Sequence, residues 1–172
     1  MNKIIYTIQG IKRPGFGKLR HLSLLNKIPI IRDFKFIKII LCNLYKIPLS
    51  THFGKNFYLS APLLKLGCNV GLADTFILAY AQVTIGDNCS FSFRNMIITS
   101  THSYEDFSTV VAMPIIIGSN VWITSNVTIL PGVTIGDNTI IGAGSVVTKS
   151  IPSGVFAAGN PCKVIREINF KK

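Results

Sequence analysis

Three histidines, His21, His52 and His102, are the side chains of this 172-residue chain best suited to moving a proton near neutral pH. They lie 31 and 50 residues apart, with no paired spacing, so a trio converging on zinc is not expected. Cys42, Cys68, Cys89 and Cys162 show neither CxxC spacing nor the density of a disulfide scaffold, and Cys68 and Cys89 read as small core or turn residues. His21 sits in a basic segment and His52 near the start of a patterned region, where surface or packing roles suffice. His102 sits in Thr101-His102-Ser103-Tyr104-Glu105-Asp106-Phe107-Ser108. A neutral imidazole there has the basicity to take a proton from a hydroxyl, and a lone loop histidine is also an ordinary surface residue. What decides between them is the scaffold that holds the loop.

That scaffold is written in a six-residue period. Ile117, Ile123, Ile129, Ile135, Ile141 and Val147 recur every sixth position, with Val121, Val127 and Val133 two places before the second, third and fourth. Such a period fits neither a helix near 3.6 nor a plain strand of period 2, so the chain must turn a corner every hexad. The form expected is all-β: a parallel β-helix in which three hexads make one coil and stacked coils bury the Ile/Val ladder. Gly118, Gly136 and Gly142, with Asn120, Asn126 and Asn138, are expected to supply the corner's φ/ψ values. Upstream, Ile85-Gly86-Asp87-Asn88 nearly copies Ile135-Gly136-Asp137-Asn138, and Phe91 and Ile97 keep its register. Leu66, Leu72 and Leu78, with Val70 and Phe76 between them, read as an earlier ladder one residue out of step, begun by Phe53-Gly54 and Leu59. Residues about 98–114 carry no ladder residue between Ile97 and Ile115 and read as an extruded loop, the first place to seek chemistry.

The resulting division is a basic, apolar and partly helical cap segment over 1–50, the β-helix over 51–160 and a C-terminal tail over 161–172. With 48% apolar and only 15% charged residues, the chain can build one continuous core. Charge is concentrated at one end. Residues 1–65 hold twelve of the eighteen Lys and Arg, among them Lys12, Arg13, Lys18, Arg20, Lys27 and Arg32, against Asp33 alone. Residues 28–49 would suit an anionic membrane surface or a negatively charged substrate, or would simply cover the first coil. No apolar run approaches the roughly 20 residues that span a bilayer, and no signal-peptide pattern is present. A cytoplasmic protein is expected, the inner face of the cytoplasmic membrane being the surface its basic segment would meet. No nucleic-acid recognition motif accompanies the charge, so nucleic acid is not an expected partner.

From about Val83 to Ile168 the chain resembles the hexapeptide-repeat acetyltransferases, especially their galactoside and maltose O-acetyltransferase branch. The matching motifs are Val83-Thr84-Ile85-Gly86-Asp87-Asn88, the Thr101-His102 loop, Ile117-Gly118-Ser119-Asn120-Val121-Trp122-Ile123 and Pro131-Gly132-Val133-Thr134-Ile135-Gly136-Asp137-Asn138. Two closing motifs follow, Ile141-Gly142-Ala143-Gly144-Ser145-Val146-Val147-Thr148-Lys149 and Ala158-Gly159-Asn160-Pro161-Cys162-Lys163-Val164-Ile165-Arg166. The resemblance implies a left-handed parallel β-helix, a homotrimer, and active sites in clefts between neighbouring subunits. It also implies acetyl-CoA as cosubstrate and transfer of its acetyl group to a sugar hydroxyl, with no metal. His102 becomes the candidate general base, and a backbone N–H near Ser125 the donor to the oxyanion. Glu105 and Asp106 are candidates to orient the imidazole, or are solvated loop charges.

Family correspondence places Ser125, Ala143, Thr148, Lys149, Lys163 and Arg166 against acetyl-CoA. Small residues let the pantetheine arm lie on the coil, and the cations suit its phosphates. Lys163 stands where the family usually has arginine, keeping the charge without the bidentate fork. Trp122 is expected to wall the cleft and Tyr80 to face the acceptor. Leu72 and Tyr80 stand where the galactoside enzymes carry an acceptor-binding asparagine and an aspartate, so the identity of the acceptor does not carry over. The basic approach surface favours an anionic or lipid-linked glycan of bacterial surface polysaccharide synthesis, capsule or lipopolysaccharide O-antigen included. Tyr80, Phe91, Phe93 and Tyr104 are candidates to stack on sugars. Serine or antibiotic acetyltransferases share the repeat and remain alternatives, as does a catalytically silent structural or membrane-docking trimer.

Overall fold

The computed structural model describes residues 3–7, 14–17, 28 and 34–169. Each hexad forms a strand of two or three residues and a corner, and the corners fold the chain into three parallel faces, giving the left-handed parallel β-helix. The first face stacks Leu64–Leu66, Val83–Ile85, Ile115–Ile117 and Thr134–Ile135. On the second lie His52–Phe53, Gly71–Ala73, Ser90–Phe91, Trp122–Ile123, Ile140–Ile141 and Val155–Ala158, and on the third Tyr58–Leu59, Phe76–Leu78, Met96–Ile98, Thr128–Ile129 and Val146–Val147. Lys163–Glu167 turns back to pair antiparallel with Val155–Ala158.

Register converts the sequence period into a core. Ile85, Ile117 and Ile135 align on the first face, Phe91, Ile123 and Ile141 on the second, Ile97, Ile129 and Val147 on the third. All nine are buried, as are Val121, Val127 and Val133. Each such side chain contributes about 1.5–3 kcal/mol of burial. The earlier ladder departs from the spacing expected for it. Leu72 and Val70 are buried, but on the third face it is Ile77 that aligns with Ile97 and points inward, while Phe76 and Leu78 are only half-buried. The corner after Leu72 is one residue short, with Ala73 at φ 44° and the Thr75 N–H bonded to the Leu72 carbonyl at 3.0 Å.

The corners separate two jobs that the sequence suggested were one. Asn69, Asn88, Asn120 and Asn138 hold left-handed φ values of 55–57°, and their amides stack in a ladder of hydrogen bonds from coil to coil. Asn126 does the same at the next corner, φ 57°. Gly118 and Gly136 are there for a different reason. Among the described residues neither has a positive φ; a Cβ on Gly118 would lie 2.8 Å from the Asp137 backbone nitrogen, and one on Gly136 2.8 Å from Ser153 Cα. Close stacking of the next coil, not dihedral freedom, requires those two glycines. Gly142 likewise has no room for a Cβ, which would sit 2.8 Å from that of Ala158.

A helix, α1 (Lys35–Tyr45), closes the first coil. Leu41, Cys42 and Tyr45 fall on one face and are buried, and Tyr45 meets Phe16, Phe53 and Phe57 edge-on at centroid distances of 5.8, 5.9 and 5.4 Å. Burial pushes the Tyr45 phenol up to about 12. Lys46 ends the helix in the left-handed conformation, φ 57°. The outer side leaves Phe34 and Phe36 exposed beside Lys35. Lys12, Arg13, Lys18, Arg20, Lys27, Arg32 and His21 lie outside the described residues. Among the described residues no helix is long and apolar enough to cross a membrane.

Candidate active site

The extruded segment is a hairpin. It leaves the corner after the third face at Met96–Ile98 and rejoins the first face at Ile115. Ser100–His102 pairs antiparallel with Val110–Ala112, and that strand pairs on its other side with Ile4–Tyr6. His102 and Tyr6 both lie opposite Val110, so one transverse row runs Tyr6, Val110, His102.

The hairpin tip is built to present an imidazole. Asp106 accepts hydrogen bonds from the Ser108 N–H (2.9 Å), the Ser108 hydroxyl (2.7 Å) and the Thr109 hydroxyl (2.6 Å). These bonds, the Ser108 hydroxyl first, hold the Asp106 carboxyl below the usual carboxylate range. With the turn so fixed, the Phe107 carbonyl lies 2.6 Å from His102 Nδ1. A carbonyl can only accept, so Nδ1 carries the hydrogen, and in the neutral form of the ring it is Nε2 that has the lone pair. Orientation thus comes from the Phe107 carbonyl. Asp106 shapes the turn behind it and does not touch the ring.

His102 opens onto a cleft of about 240 Å³ lined by Leu78, Tyr80, Ser100, Thr101, His102 and Val110. Its floor is tied by Thr99, fully buried, whose hydroxyl accepts from the Tyr80 N–H (2.8 Å) and the Ala81 N–H (3.0 Å) and donates to the Leu78 carbonyl (3.0 Å). Tyr80 and His102 therefore line the same cleft. Leu72 is a core residue with no access to the cleft, and Phe91 is core as well. Phe93 and Tyr104 are exposed.

The residues matched to acetyl-CoA occupy other parts of the solenoid. Ser125 and Ala143 sit on successive coils at the corner between the second and third faces, joined by the Gly144 N–H to the Ser125 carbonyl at 3.0 Å. Thr148 and Lys149 are exposed at the corner after the third face, two coils on from the hairpin's exit. Lys163 and Arg166 are exposed on the returning strand, with the Arg166 guanidinium 5.8 Å from the Phe156 ring centroid. Trp122 is half-exposed on the second face, its indole N–H 3.3 Å from the Ser92 hydroxyl. Ser125 and the hairpin lie at opposite ends of the third face, on neighbouring coils. Among the described residues no three His, Cys, Asp or Glu side chains gather as a metal site.

Tyr6, Thr99 and the Phe107 carbonyl are the site features that sequence reading missed. Nothing in the local sequence marks Tyr6, whose place depends on pairing across more than a hundred residues; Thr99 stood two residues beyond the ladder residue Ile97 and was legible only as a polar interruption.

The described residues thus form a solenoid of hexads interrupted by a hairpin that carries His102. Residues 114–149 match the family described as bacterial transferase hexapeptide, six repeats. The galactoside O-acetyltransferase of Escherichia coli K12 is 46% identical over 123 residues, an alignment covering 69% of this chain and 54% of the relative. The chain thus spans about half the length of that curated relative. A maltose O-acetyltransferase structure from Clostridium difficile 630 superposes with a TM-score of 0.77 at 30% identity, covering 88% of this chain and 84% of the other. A galactoside acetyltransferase in complex with coenzyme A superposes with a TM-score of 0.70 at 31% identity, covering 96% and 86%. This chain belongs to the hexapeptide-repeat acetyltransferase family.

Proposed function

We propose that the protein is an acetyl-CoA-dependent O-acetyltransferase acting on a sugar hydroxyl. The observation that carries the reading is the 2.6 Å contact between His102 Nδ1 and the Phe107 carbonyl, which leaves Nε2 of this cleft-lining histidine as the candidate base. An acceptor hydroxyl seated against Tyr80 gives its proton to Nε2 as its oxygen attacks the thioester carbonyl. The C–S bond then breaks, and the imidazolium returns the proton to the departing thiolate. The oxyanion is met by a backbone N–H near Ser125, and Lys149, Lys163 and Arg166 face the cofactor's phosphates. Because His102 and Ser125 belong to different corners of one chain, a site using both is completed by a second copy, which favours the homotrimer with sites between subunits.

The acceptor side is read from charge. A surplus of eleven positive charges over residues 1–65 suits an anionic or lipid-linked glycan, as in bacterial capsule or O-antigen synthesis. Exposed Phe34 and Phe36 beside Lys35, at the first-coil end of the solenoid, suit contact with an anionic lipid surface, where such a glycan would be built. The test is thiol release from acetyl-CoA with a panel of neutral, acidic and lipid-linked glycans. Acceptor-dependent turnover is expected with the acidic or lipid-linked members, falling 10²–10⁴-fold in His102→Ala with acetyl-CoA affinity retained. Turnover with serine or an antibiotic alone would overturn the sugar assignment, and absence of acetyl-CoA binding would leave a structural trimer.

A further inference from the structure

The described part of the N-terminal region reaches the active-site hairpin as well as the first coil. Ile4–Tyr6 is an edge strand on the hairpin, and its last residue shares a row with Val110 and His102. Directly opposed residues in antiparallel strands project from the same face of the sheet, so Tyr6 is presented to the side on which Val110 and His102 line the cleft. At a strand spacing of about 4.8 Å, the Tyr6 backbone lies roughly 10 Å from that of His102. Tyr6 is 7% exposed, and its ring meets Tyr80 edge-on at 5.7 Å. Its hydroxyl donates to the Tyr80 carbonyl at 2.6 Å. Tyr6, Ala81, Val110 and Ala112 form a small buried cluster, with Tyr80 packed on it, separate from the solenoid core.

These contacts meet on the two elements that form the cleft. Val110 is held between His102 and Tyr6, and the Tyr80 backbone is held between the Thr99 hydroxyl at its N–H and the Tyr6 hydroxyl at its carbonyl. Without the Ile4–Tyr6 strand the hairpin would be a two-stranded ribbon, which is marginal on its own.

We infer that Tyr6 is a positioning residue for the acceptor: through the Tyr80 carbonyl and the Val110 strand it fixes the distance between Tyr80 and the His102 imidazole, and so sets acceptor affinity. This rests on the proposed acetyl transfer to a glycan. The class of acceptor that depends on Tyr6 is the hydroxyl-bearing ligand of the His102 cleft. Acetyl-CoA, matched to residues on other corners, is not expected to depend on it.

The decisive variant is Tyr6→Phe in the full chain, which keeps the ring and removes the hydroxyl. With the best acceptor from the glycan panel, acceptor KM is expected to rise about tenfold while acetyl-CoA KM stays within twofold. Amide exchange at Thr101, His102 and Val110–Ala112 is expected to quicken, with solenoid amides such as Ile123 and Ile129 unchanged. Tyr6→Leu is expected to show both effects more strongly. Equal rises in the two KM values, or wild-type KM values with wild-type exchange, would overturn the inference. If wild type acetylates no glycan while Tyr6→Phe still quickens hairpin exchange, the acetyl-transfer reading fails and the positioning of the hairpin by Tyr6 stands; unchanged exchange in that case removes both.

Discussion

Replacing Thr99 by valine tests how the cleft is held. The side chain keeps nearly the same shape, so packing is conserved and the change isolates the hydroxyl. That hydroxyl accepts two backbone N–H groups, from Tyr80 and Ala81, and donates to the Leu78 carbonyl, inside a fully buried position. Thr99→Val strands those two donors away from water. An unsatisfied buried donor costs about 1–3 kcal/mol, and because the two share one acceptor the total expected is about 2–4 kcal/mol. For a chain of this length, 1 kcal/mol moves Tm by about 2–4 °C, so thermal denaturation should show a fall of about 5–15 °C. Thr99→Ser, which restores the hydroxyl and loses one methyl, should recover most of it. Because Tyr80 and the hairpin base move together, acceptor KM should rise in the valine variant and return in the serine variant. A valine variant within 2 °C of wild type and with unchanged acceptor KM would refute the reasoning that this hydroxyl holds the cleft floor.

Asp106→Ala should lower kcat about tenfold by loosening the turn that places the Phe107 carbonyl, whereas Glu105→Ala should match wild type; steady-state kinetics separate them. Because the Asp106 carboxyl is held below its ordinary value, the turn's support is present above the ordinary carboxylate range and is lost as pH falls through the lowered value. Hairpin amide protection, corrected for the intrinsic pH dependence of exchange, should therefore begin to fall as pH drops below the ordinary carboxylate range and be lost once the lowered value is passed. Gly118→Ala should cost about 1–3 kcal/mol by forcing a Cβ against the Asp137 backbone, a clash at ordinary φ. Gly144→Ala, in open space but at φ 71°, should cost about 1–2 kcal/mol by backbone strain alone, and urea denaturation with a Gly144→Asn control, which tolerates that φ, distinguishes the causes. Phe36→Asp should weaken co-sedimentation with phosphatidylserine vesicles several-fold and leave activity on a water-soluble acceptor intact, and equal sedimentation of both proteins would count against lipid contact.

The six-residue ladder was enough to determine the solenoid, because a period of six admits no helix or flat sheet and the same Ile/Val positions that announce it are the ones that face inward. The gap between Ile97 and Ile115 likewise announced an excursion, since residues without a ladder side chain have nothing to bury in the core. The motifs around His102 and Ala143 to Lys149 pointed to the acetyltransferase family. What sequence could not determine was anything set by contacts between distant segments. The glycines at 118 and 136 carry no mark that tells dihedral freedom from close stacking; only the next coil's backbone, 2.8 Å from where a Cβ would lie, decides it. The slip of register at Ala73 depends on a corner one residue shorter than its neighbours. The orientation of His102 was sought in the carboxylates beside it and is supplied by the Phe107 carbonyl, because Ser108 and Thr109 occupy Asp106. Tyr6 enters the site through strand pairing across more than a hundred residues. Periodicity is a local property that each hexad repeats, and the sequence states it many times over; a hydrogen bond between Tyr6 and Tyr80 occurs once, between segments that only the folded chain brings together.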